Sequence, residues 1–439
     1  MRRGTRTGAR AGAAALALTL AAGCGLGGDG DDSTVTLEFL SLAWQDESIA
    51  ATRALVEEWN ASHPRVQVKY VQGDWANVHD QLLTSFMAGE APDIVHNDAS
   101  DLVDFAGGGY LADLSELLPG SLLDDIPEQT WRTTRYDDGL YGVPFLQEPR
   151  VLIANTRLLA ESGVRVPTPD QPWTWEEFER ASAAMTQDTD GDGRTDTYGV
   201  AWSMSEPVSQ SVNLSLSTGG RVFYQENGEN EVRFGPADSA VAEVIHRQVN
   251  EDRTAPRSSL GMTGSDTLPG FFAGRYAMLP LNFSYRQQIT QQAPDGFEWT
   301  VLPMPTGGEE HGLAQGVAPQ TLSVSEDSDH QRAAAEFIAF MTQPEHVVDL
   351  ALGDWMLPTS SQALADPALR VSEHGWRTGA ELAAGLRPSP AIGVRGFWEW
   401  RDKIATPAFQ RYYSGEIDLA GLREALTDDG NRTLDRYQR

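Results

Sequence analysis

Residues 136–155, YDDGLYGVPFLQEPRVLIAN, form the stretch from which the fold of this 439-residue chain can be inferred. An Asp-Asp-Gly turn joins two short β-prone runs, and Pro144 removes one ladder donor from the second run. A further apolar run at 151–153 follows and ends at Asn155. A hairpin that leads straight into a new strand can carry the chain between two lobes, or it can lie inside one domain. Spacing alone leaves both interpretations open.

The length and charge of the chain limit the protein classes to consider. A chain of 439 residues exceeds the roughly 250–300 residues that one core sustains, so two lobes are expected. Its hydrophobic content of 40% and charged content of 22% are ordinary for a globular protein. The net charge of −30 predicts a soluble protein that repels nucleic acid and anionic lipid. We expect no nucleic-acid partner.

The N-terminus has the pattern of an export signal over residues 1–23. A basic segment at 2–10 precedes an apolar segment at 11–20 that is too short to span a membrane. Cys24 follows three small residues and is the only cysteine, so an intrachain disulfide is excluded. This position predicts lipidation of Cys24 and residence on the outer face of the cell membrane, with 24–34 as a flexible tether. A plain secreted protein is the alternative.

Strand-like and helix-like patterns alternate over the first third of the mature chain. Short β-prone runs near 35–40, 66–70 and 94–95 are separated by amphipathic stretches of helical period. Such alternation predicts a parallel doubly wound sheet, in which ligands bind outside the carboxyl ends of the strands. Ordinary polar loop residues would give the same pattern. The candidates at these strand ends are Trp44, Gln45, Asp74, Trp75, Asn97 and Asp98.

Several motifs in sequence order resemble the carbohydrate-binding class of extracellular solute-binding proteins, the maltose-binding-protein-like proteins that serve ABC importers. After the lipobox-like N-terminus and the Tyr-Gly-Val-Pro crossing come WTWEEFERASAAM, STGG, FFAGRYAMLPLNFSY, WTVLPMPTGG and GDWMLPTSSQAL. The resemblance covers nearly the whole mature chain. It implies an α/β, two-lobed periplasmic-binding-protein-like fold of type II, with a parallel-rich sheet flanked by helices in each lobe and three interlobe crossings. It also identifies residues 136–155 as the first crossing between the lobes.

This resemblance sets the expected domain boundaries. The N-lobe is expected to comprise 35–143 and a returning segment at 304–323. The C-lobe is expected to comprise 144–303 and 324–439, with the third crossing at the acidic residues 325–329.

An acidic loop at 188–199, DTDGDGRTDTYG, predicts a calcium site. Its aspartates have the spacing of positions 1, 3, 5 and 9 of a calcium loop, with Gly193 at the sharp turn. Gly199 stands where an EF-hand requires a bidentate glutamate, so the loop is not an EF-hand. A solvated acidic turn is the alternative. The candidate Ca²⁺ ligands are Asp188, Asp190, Asp192, the Arg194 carbonyl and Asp196.

Aromatic residues are the second functional indication. The chain has 12 tryptophans, and an indole offers a flat apolar face with one N–H, which suits a pyranose ring. For any single tryptophan a place in the core is the alternative. By resemblance, the further ligand-binding candidates are Glu148, Trp202, Asn282, Tyr285, Gln315, Trp355 and Trp398.

Sequence signatures of enzymes are absent. The chain contains no G-x-S-x-G, no H-E-x-x-H and no phosphate-binding glycine loop, and its eight histidines lack metal-ligand spacing. Together with the resemblance, this leads us to expect a lipid-anchored monomer that binds a sugar, in particular an oligosaccharide, and delivers it to the permease of an ABC importer. The alternatives are a secreted carbohydrate-active enzyme, which would use a pair of acids, and a binding protein for a non-sugar solute.

Overall fold

The computed structural model describes residues 34–226 and 228–438. The strands are β1 Val35–Ser41, β2 Val66–Gln72, β3 Ile94–Asp98, β4 Arg135–Tyr136, β5 Gly139–Leu140, β6 Val143–Gln147, β7 Arg150–Asn155, β8 Tyr198–Val200, β9 Phe223–Glu226, β10 Glu229–Val232, β11 Tyr276–Asn282, β12 Trp299–Pro303, β13 Gln315–Val317, β14 Gln320–Val324, β15 Leu357–Pro358 and β16 Leu386–Pro388.

Short 3₁₀ and π segments adjoin several of the α-helices. The helices are α1 Asp46–Ser62, α2 Val78–Ala88, α3 Leu102–Gly107, α4 Gly120–Asp125, α5 Glu128–Trp131, α6 Thr156–Ser162, α7 Trp175–Met185, α8 Pro207–Ser215, α9 Pro236–Asn250, α10 Gly264–Phe272, α11 Arg286–Gln292, α12 Gln331–Met341, α13 Pro344–Asp354, α14 Ser361–Leu364, α15 Trp376–Leu382, α16 Phe397–Trp400, α17 Thr406–Tyr413, α18 Leu419–Glu424 and α19 Gly430–Gln438.

Two mixed sheets form the centres of two lobes, which confirms the predicted two-lobed α/β fold. The N-lobe sheet has the order β15-β6-β14-β3-β1-β2, and the C-lobe sheet has the order β12-β7-β11-β8. In the N-lobe, β1 is parallel to β2 and β3, whereas β14 is antiparallel to β3 and β6. In the C-lobe, β8 is parallel to β11, and β7 is antiparallel to both of its neighbours.

Each sheet is buried on both faces, as the continuous apolar runs in its strands require. On β7, Leu152 and Ala154 face one core of the C-lobe, and Val151 and Ile153 face the other. In the N-lobe, Phe39 belongs to one core and the residues around Val95 to the second. Helices therefore cover the sheets on both sides and leave the strand ends free to form a site.

The first crossing lies at the predicted hairpin, a few residues later than the expected boundary. Strand β6 pairs within the N-lobe sheet up to Gln147, and β7 begins in the C-lobe sheet at Arg150. Residues 144–147 thus belong to the N-lobe. Pro144 lies opposite Thr321 of β14, where the register of the two strands shifts between Gln320 and Thr321. Such an irregularity in the ladder accommodates a residue that has no N–H.

The third crossing is the largest correction to the expected domains. Residues 324–439 were all expected in the C-lobe, but α12 and α13 pack in the N-lobe core, where Phe337 and Val347 adjoin Leu37. The chain last leaves this core between Ala363 and Leu369. The reason is topological. Strand β14 returns antiparallel through the middle of the N-lobe sheet and directs the following helices back onto that sheet.

Candidate functional site

A cavity of about 900 Å³ lies between the two lobes. Its N-lobe wall comes from the start of α2 and from the end of β3 with the start of α3, and its C-lobe wall comes from α8 and from the segment around α16. The position agrees with the expected ligand site at the carboxyl ends of the N-lobe strands. Of the candidate ligand residues, Trp75, Asp98 and Trp398 line this cavity.

Trp75 is held by a buried histidine. The ring of His96 meets the Trp75 ring edge-on, with 5.4 Å between centroids. The Leu42 backbone N–H donates to His96 Nδ1 at 3.1 Å, and His96 Nε2 lies 3.0 Å from Gln320 Oε1. Burial lowers the pKa of His96 to about 3, so the ring is neutral and Nε2–H is the donor to Gln320. The orientation of Trp75 is thereby fixed from the interior of the N-lobe.

Trp398 reaches the cavity from the opposite lobe. Its ring stacks on His79 of α2, with 5.4 Å between centroids and 27° between planes, and the Arg401 guanidinium lies 3.7 Å from the ring centroid. Trp398 Nε1 has no hydrogen-bond partner within the described part of the chain. An indole N–H that is buried and unpartnered is a donor available to a ligand.

The turn before Trp398 requires glycine. Gly396 has a φ of 77°, and a Cβ at this position would lie 2.4 Å from the ring of Tyr437. The Gly396 N–H donates to Asp104 Oδ1 at 3.1 Å, which joins the C-lobe to α3 of the N-lobe. The backbone that presents Trp398 is thus tied directly to the opposite wall.

Three aspartates form the acidic part of the N-lobe wall: Asp98, Asp101 and Asp104. Burial and then repulsion by Asp101 raise the pKa of Asp98 to about 7, although Ser100 donates to Asp98 Oδ1 through both its N–H at 2.8 Å and its hydroxyl at 2.5 Å. Burial also raises the pKa of Asp101 and Asp104. These carboxyl groups can accept hydrogen bonds from hydroxyl groups of a ligand.

Sequence reasoning missed several charged or titratable residues of the cavity. Aspartates recur every three residues from the end of β3, at Asp98, Asp101 and Asp104. This spacing was a signal that could have found Asp101 and Asp104. The others come from separate parts of the chain and share no local pattern with the aspartates. They include His79, Arg395 and Arg401.

Three predicted ligand residues have structural roles instead. Gln45 Nε2 donates to the Asp354 carbonyl at 3.1 Å, and Asn97 Oδ1 accepts from Thr321 Oγ1 at 2.5 Å inside the N-lobe sheet. Gln315 bonds to both backbone groups of Arg150, at 2.7 and 3.2 Å. All three side chains are buried and lie outside the cavity wall. The correction follows from their hydrogen bonds, which hold the strands and the first crossing in place.

Four further candidates lie apart from the cavity wall, and two of them, Glu148 and Asn282, meet at the first crossing. Glu148 accepts from Asn282 Nδ2 at 2.8 Å and from the Ser284 N–H at 3.0 Å, and burial raises its pKa. Tyr285 lies against Gly264, where its ring leaves no room for a Cβ. Trp355 contacts the rings of His374 and Trp376. Glu148 and Asn282 thus bridge the crossing to the end of β11.

Trp202 is fully buried in the C-lobe core and has no exposed surface. Its Nε1–H donates to Gln248 Oε1 at 2.7 Å, and its ring meets Phe178 edge-on. The structure corrects the prediction for Trp202, because neither its ring face nor its N–H is available to a ligand. At the surface, Trp44 is 41% exposed, and Asp74 accepts from the Ala76 N–H at 2.8 Å. Neither residue lines the cavity.

The acidic loop brings three of its predicted ligands together. Carboxylate oxygens of Asp188, Asp190 and Asp196 lie within 4.8 Å of one another on the surface. Asp192 is outside this group and accepts from the Arg194 N–H at 2.8 Å. Three convergent carboxylates are a suitable donor set for a hard cation such as Ca²⁺.

The N-terminal predictions fall outside the described residues. The signal at 1–23, Cys24 and the tether up to residue 33 belong to this part of the chain. Across 34–226 and 228–438, no helix has the length and apolar character needed to cross a membrane.

The chain is similar to known proteins in both sequence and structure. A sequence model of the family described as bacterial extracellular solute-binding protein matches residues 43–348. An uncharacterized lipoprotein encoded in the oleD 5′ region of Streptomyces antibioticus is 59% identical over 396 residues, which are 90% of this chain and 86% of the relative. The maltotriose-binding protein of Pyrococcus abyssi is 20% identical over 80% of this chain and 73% of the relative.

Two solved structures show the same fold. The GacH receptor of Streptomyces glaucescens, determined unliganded and with acarbose, has a TM-score of 0.75 and 21% identity, and covers 92% of this chain and 99% of the receptor. The ABC substrate-binding protein Lmo0181 of Listeria monocytogenes, solved with cycloalternan, has a TM-score of 0.75 and 20% identity, with coverage of 92% and 99%.

Proposed function

The chain belongs to the bacterial extracellular solute-binding protein family, and from this premise we propose that it binds an oligosaccharide between its lobes and delivers it to an ABC importer. The observation that carries this proposal is the cavity that Trp75 of the N-lobe and Trp398 of the C-lobe both line. Aromatic faces from both lobes suit the apolar faces of sugar rings, and the aspartates between them suit hydroxyl groups.

The size of the cavity and the relatives support an oligosaccharide. A volume of about 900 Å³ lies near the upper end of the range, roughly 300–1,000 Å³, in which small-molecule sites fall. A relative from Bacillus subtilis, 23% identical, is an arabinooligosaccharide-binding protein, and the relative from Pyrococcus abyssi is a maltotriose-binding protein. A non-sugar solute is the second candidate for the ligand.

Binding would proceed by lobe closure. A ligand that contacts Trp75 on one lobe and Trp398 on the other gains both contacts only when the lobes are closed. Its affinity therefore differs between the open and closed states, and this difference shifts the equilibrium toward closure. The permease of the importer would recognise the closed form. No bond in the ligand is broken in this mechanism.

A panel of neutral oligosaccharides tests the proposal by calorimetry and native mass spectrometry of the mature protein. We expect one class to bind intact, and Trp75→Ala and Trp398→Ala each to weaken its binding at least tenfold. Trp299→Ala, which alters a half-buried tryptophan outside the cavity wall, is the matched control. Hydrolysis products in the panel would favour a carbohydrate-active enzyme instead. Wild-type affinity in both cavity variants would remove the site assignment.

We propose in addition that Cys24 carries a lipid anchor once residues 1–23 are removed, which places the protein on the outer face of the cell membrane. The similarity to a lipoprotein over 90% of the chain supports this proposal. Metabolic labelling with a radioactive fatty acid should mark the wild type but not Cys24→Ser, and the variant should be released into the medium. An unlabelled wild-type protein would contradict lipidation.

The acidic loop is proposed as a structural Ca²⁺ site held by Asp188, Asp190 and Asp196. The convergence of their carboxylates is the observation that supports it. Added Ca²⁺ should raise the melting temperature of chelator-treated protein by a few degrees, because a ligand that binds only the native state stabilises it. Asp190→Asn should abolish the increase, whereas the matched change Asp170→Asn outside the loop should preserve it. An unchanged melting temperature in the wild type would argue against the site.

A further inference from the structure

Three aromatic rings form a stack that runs from the N-lobe core to the C-lobe. Phe105 is fully buried in α3, and His79 of α2 stacks on it with 5.1 Å between centroids and 20° between planes. His79 also stacks on Trp398 of α16, across the cavity. We call Phe105, His79 and Trp398 the interlobe stack. Because Trp398 is on the other lobe, its contact with His79 exists only while the lobes are closed.

The histidine of the interlobe stack is bonded to a buried carboxyl group. His79 Nδ1 lies 2.8 Å from Asp101 Oδ1, and Asp101 is only 1% exposed. A buried carboxylate is costly unless a charged or hydrogen-bonding partner compensates it, and the imidazolium form of His79 supplies both. A protonated ring that faces an indole also gains a cation–π attraction, which is strongest where water is excluded.

We propose that His79 is a proton-dependent latch between the lobes: its imidazolium, held by Asp101, attracts Trp398 of the opposite lobe, so that closure is coupled to proton uptake. The proposal rests on the proposed function only in requiring that the lobes open and close. It concerns the ligand-free protein, and its test therefore uses no sugar.

The electrostatic surroundings of His79 fit this coupling. Burial lowers the pKa of His79, but the hydrogen bond and charge of Asp101, together with the charges of Asp104 and Asp80, outweigh burial and raise it above its usual value. These carboxyl groups all lie on the N-lobe, so they favour the protonated ring in the open form as well, and the coupling to closure comes from the contact of His79 with Trp398. The latch is present at low pH and is lost as the pH rises through the raised pKa.

Other titratable and charged groups at the cavity act differently. On the N-lobe side these are Asp80, Asp98, Asp101 and Asp104, and on the C-lobe side they are Glu206, Arg395, Glu399, Arg401, Asp402, Lys403 and Tyr437. Asp98 also titrates near neutral pH, and the positive charge of Arg401 faces it across the cavity. Ionisation of Asp98 would strengthen that attraction as the pH rises. Its contribution thus has the opposite sign to that of the latch.

The first test measures the proton itself, by NMR titration of histidine-labelled mature protein with the His79 signal assigned from His79→Gln. We expect His79 to titrate above 6.5 in the wild type and about half a unit to one unit lower in Trp398→Leu, since the cation–π contact is then lost. An unchanged titration in Trp398→Leu would overturn the latch, as would a wild-type midpoint below the ordinary value.

The second test measures closure, by fluorescence transfer between dyes at Met87→Cys and Asp428→Cys in a Cys24→Ser background. Both positions are exposed, and Cys24 is the only native cysteine. The ratio of closed to open molecules should fall roughly threefold to tenfold between pH 6 and pH 8, and His79→Gln should remove this change. His63→Gln is the matched control, because His63 stacks on Trp59 within the N-lobe. A ratio that rises with pH, or an unaltered change in His79→Gln, would contradict the proposal.

Discussion

Trp202 and Trp398 lie in two regions of the C-lobe that differ in how their polar atoms are satisfied. In the core, the Trp202 indole N–H is bonded to Gln248, whose amide in turn donates to Ser182 Oγ at 3.2 Å. At the cavity, Trp398 Nε1 and Arg395 Nε have no partner among residues 34–226 and 228–438. Asp98, whose pKa is raised by burial, lies on the N-lobe wall of the same cavity.

The difference separates aromatic residues that stabilise from those that bind. A core tryptophan stabilises the fold through its buried apolar area and its hydrogen-bonded N–H. A tryptophan at a binding surface instead has an N–H that no protein atom accepts, so that a ligand can accept it. Partner-free polar atoms and carboxyl groups of raised pKa occur together at functional sites because both are costly until a ligand compensates them. Substitutions in the two regions should therefore affect different measurements.

The largest effect is expected at Trp202. Trp202→Ala should lower the free energy of unfolding by about 3–5 kcal/mol, because it empties a packed core position. Chemical denaturation followed by circular dichroism measures this loss. Trp202→Phe is the control: it retains most of the packing and should cost about 1–3 kcal/mol, since Gln248 then lacks its donor. A loss below about 1 kcal/mol in Trp202→Ala would show that the core assignment is wrong.

A smaller change in stability is expected at Trp398. Trp398→Ala should cost only about 1–2 kcal/mol of unfolding free energy, since the ring is half-buried and its N–H is unpartnered. The same denaturation measurement compares the two variants directly. A loss as large as that of Trp202→Ala would remove the distinction between the two regions.

The smallest change is expected at Asp98, and it depends on pH. Because the folded-state pKa of Asp98 is about 7 and its ordinary value is 3.8, the folded state binds the proton more tightly. Asp98 therefore costs stability that grows as the pH rises from about 4 to about 7. The full shift in pKa would correspond to about 4 kcal/mol, and screening by solvent at this partly exposed side chain reduces the expected gain of Asp98→Asn to about 1 kcal/mol at pH 8, with no gain at pH 4. A gain of equal size at both pH values would contradict this explanation.

The fold was largely predictable, but the third crossing was not. The hairpin and apolar run at 136–155 located the first crossing to within a few residues, and the capping box of Thr174 and Glu177 is confirmed at the start of α7. The apolar stripe of α12 correctly indicated a packed helix. It could not indicate which sheet the helix covers, because both lobes offer apolar faces to a helix of that pattern.

The site was predictable only in part, for a similar reason. Strand ends placed Trp75 and Asp98 at the cavity, and the resemblance placed Trp398. The same reasoning selected Asn97. Because neighbouring strand residues alternate between faces, its side chain lies on the other face from that of Asp98, where it is hydrogen-bonded to Thr321 of β14. His79 could not be found from its neighbours in the chain, since its role depends on Trp398, more than three hundred positions away.

The position of β14 in the middle of the N-lobe sheet has a consequence for biosynthesis. This strand separates β6 from β3, and it is made only after nearly three quarters of the polypeptide has left the ribosome. Until then, the N-lobe sheet has only β3, β1 and β2 in adjacent positions, and β6 has neither of its neighbours, because β15 is made later still. Termination before residue 320 should therefore leave both lobes incomplete, because the N-lobe then lacks its middle strand and the C-lobe core lacks the helices after residue 397.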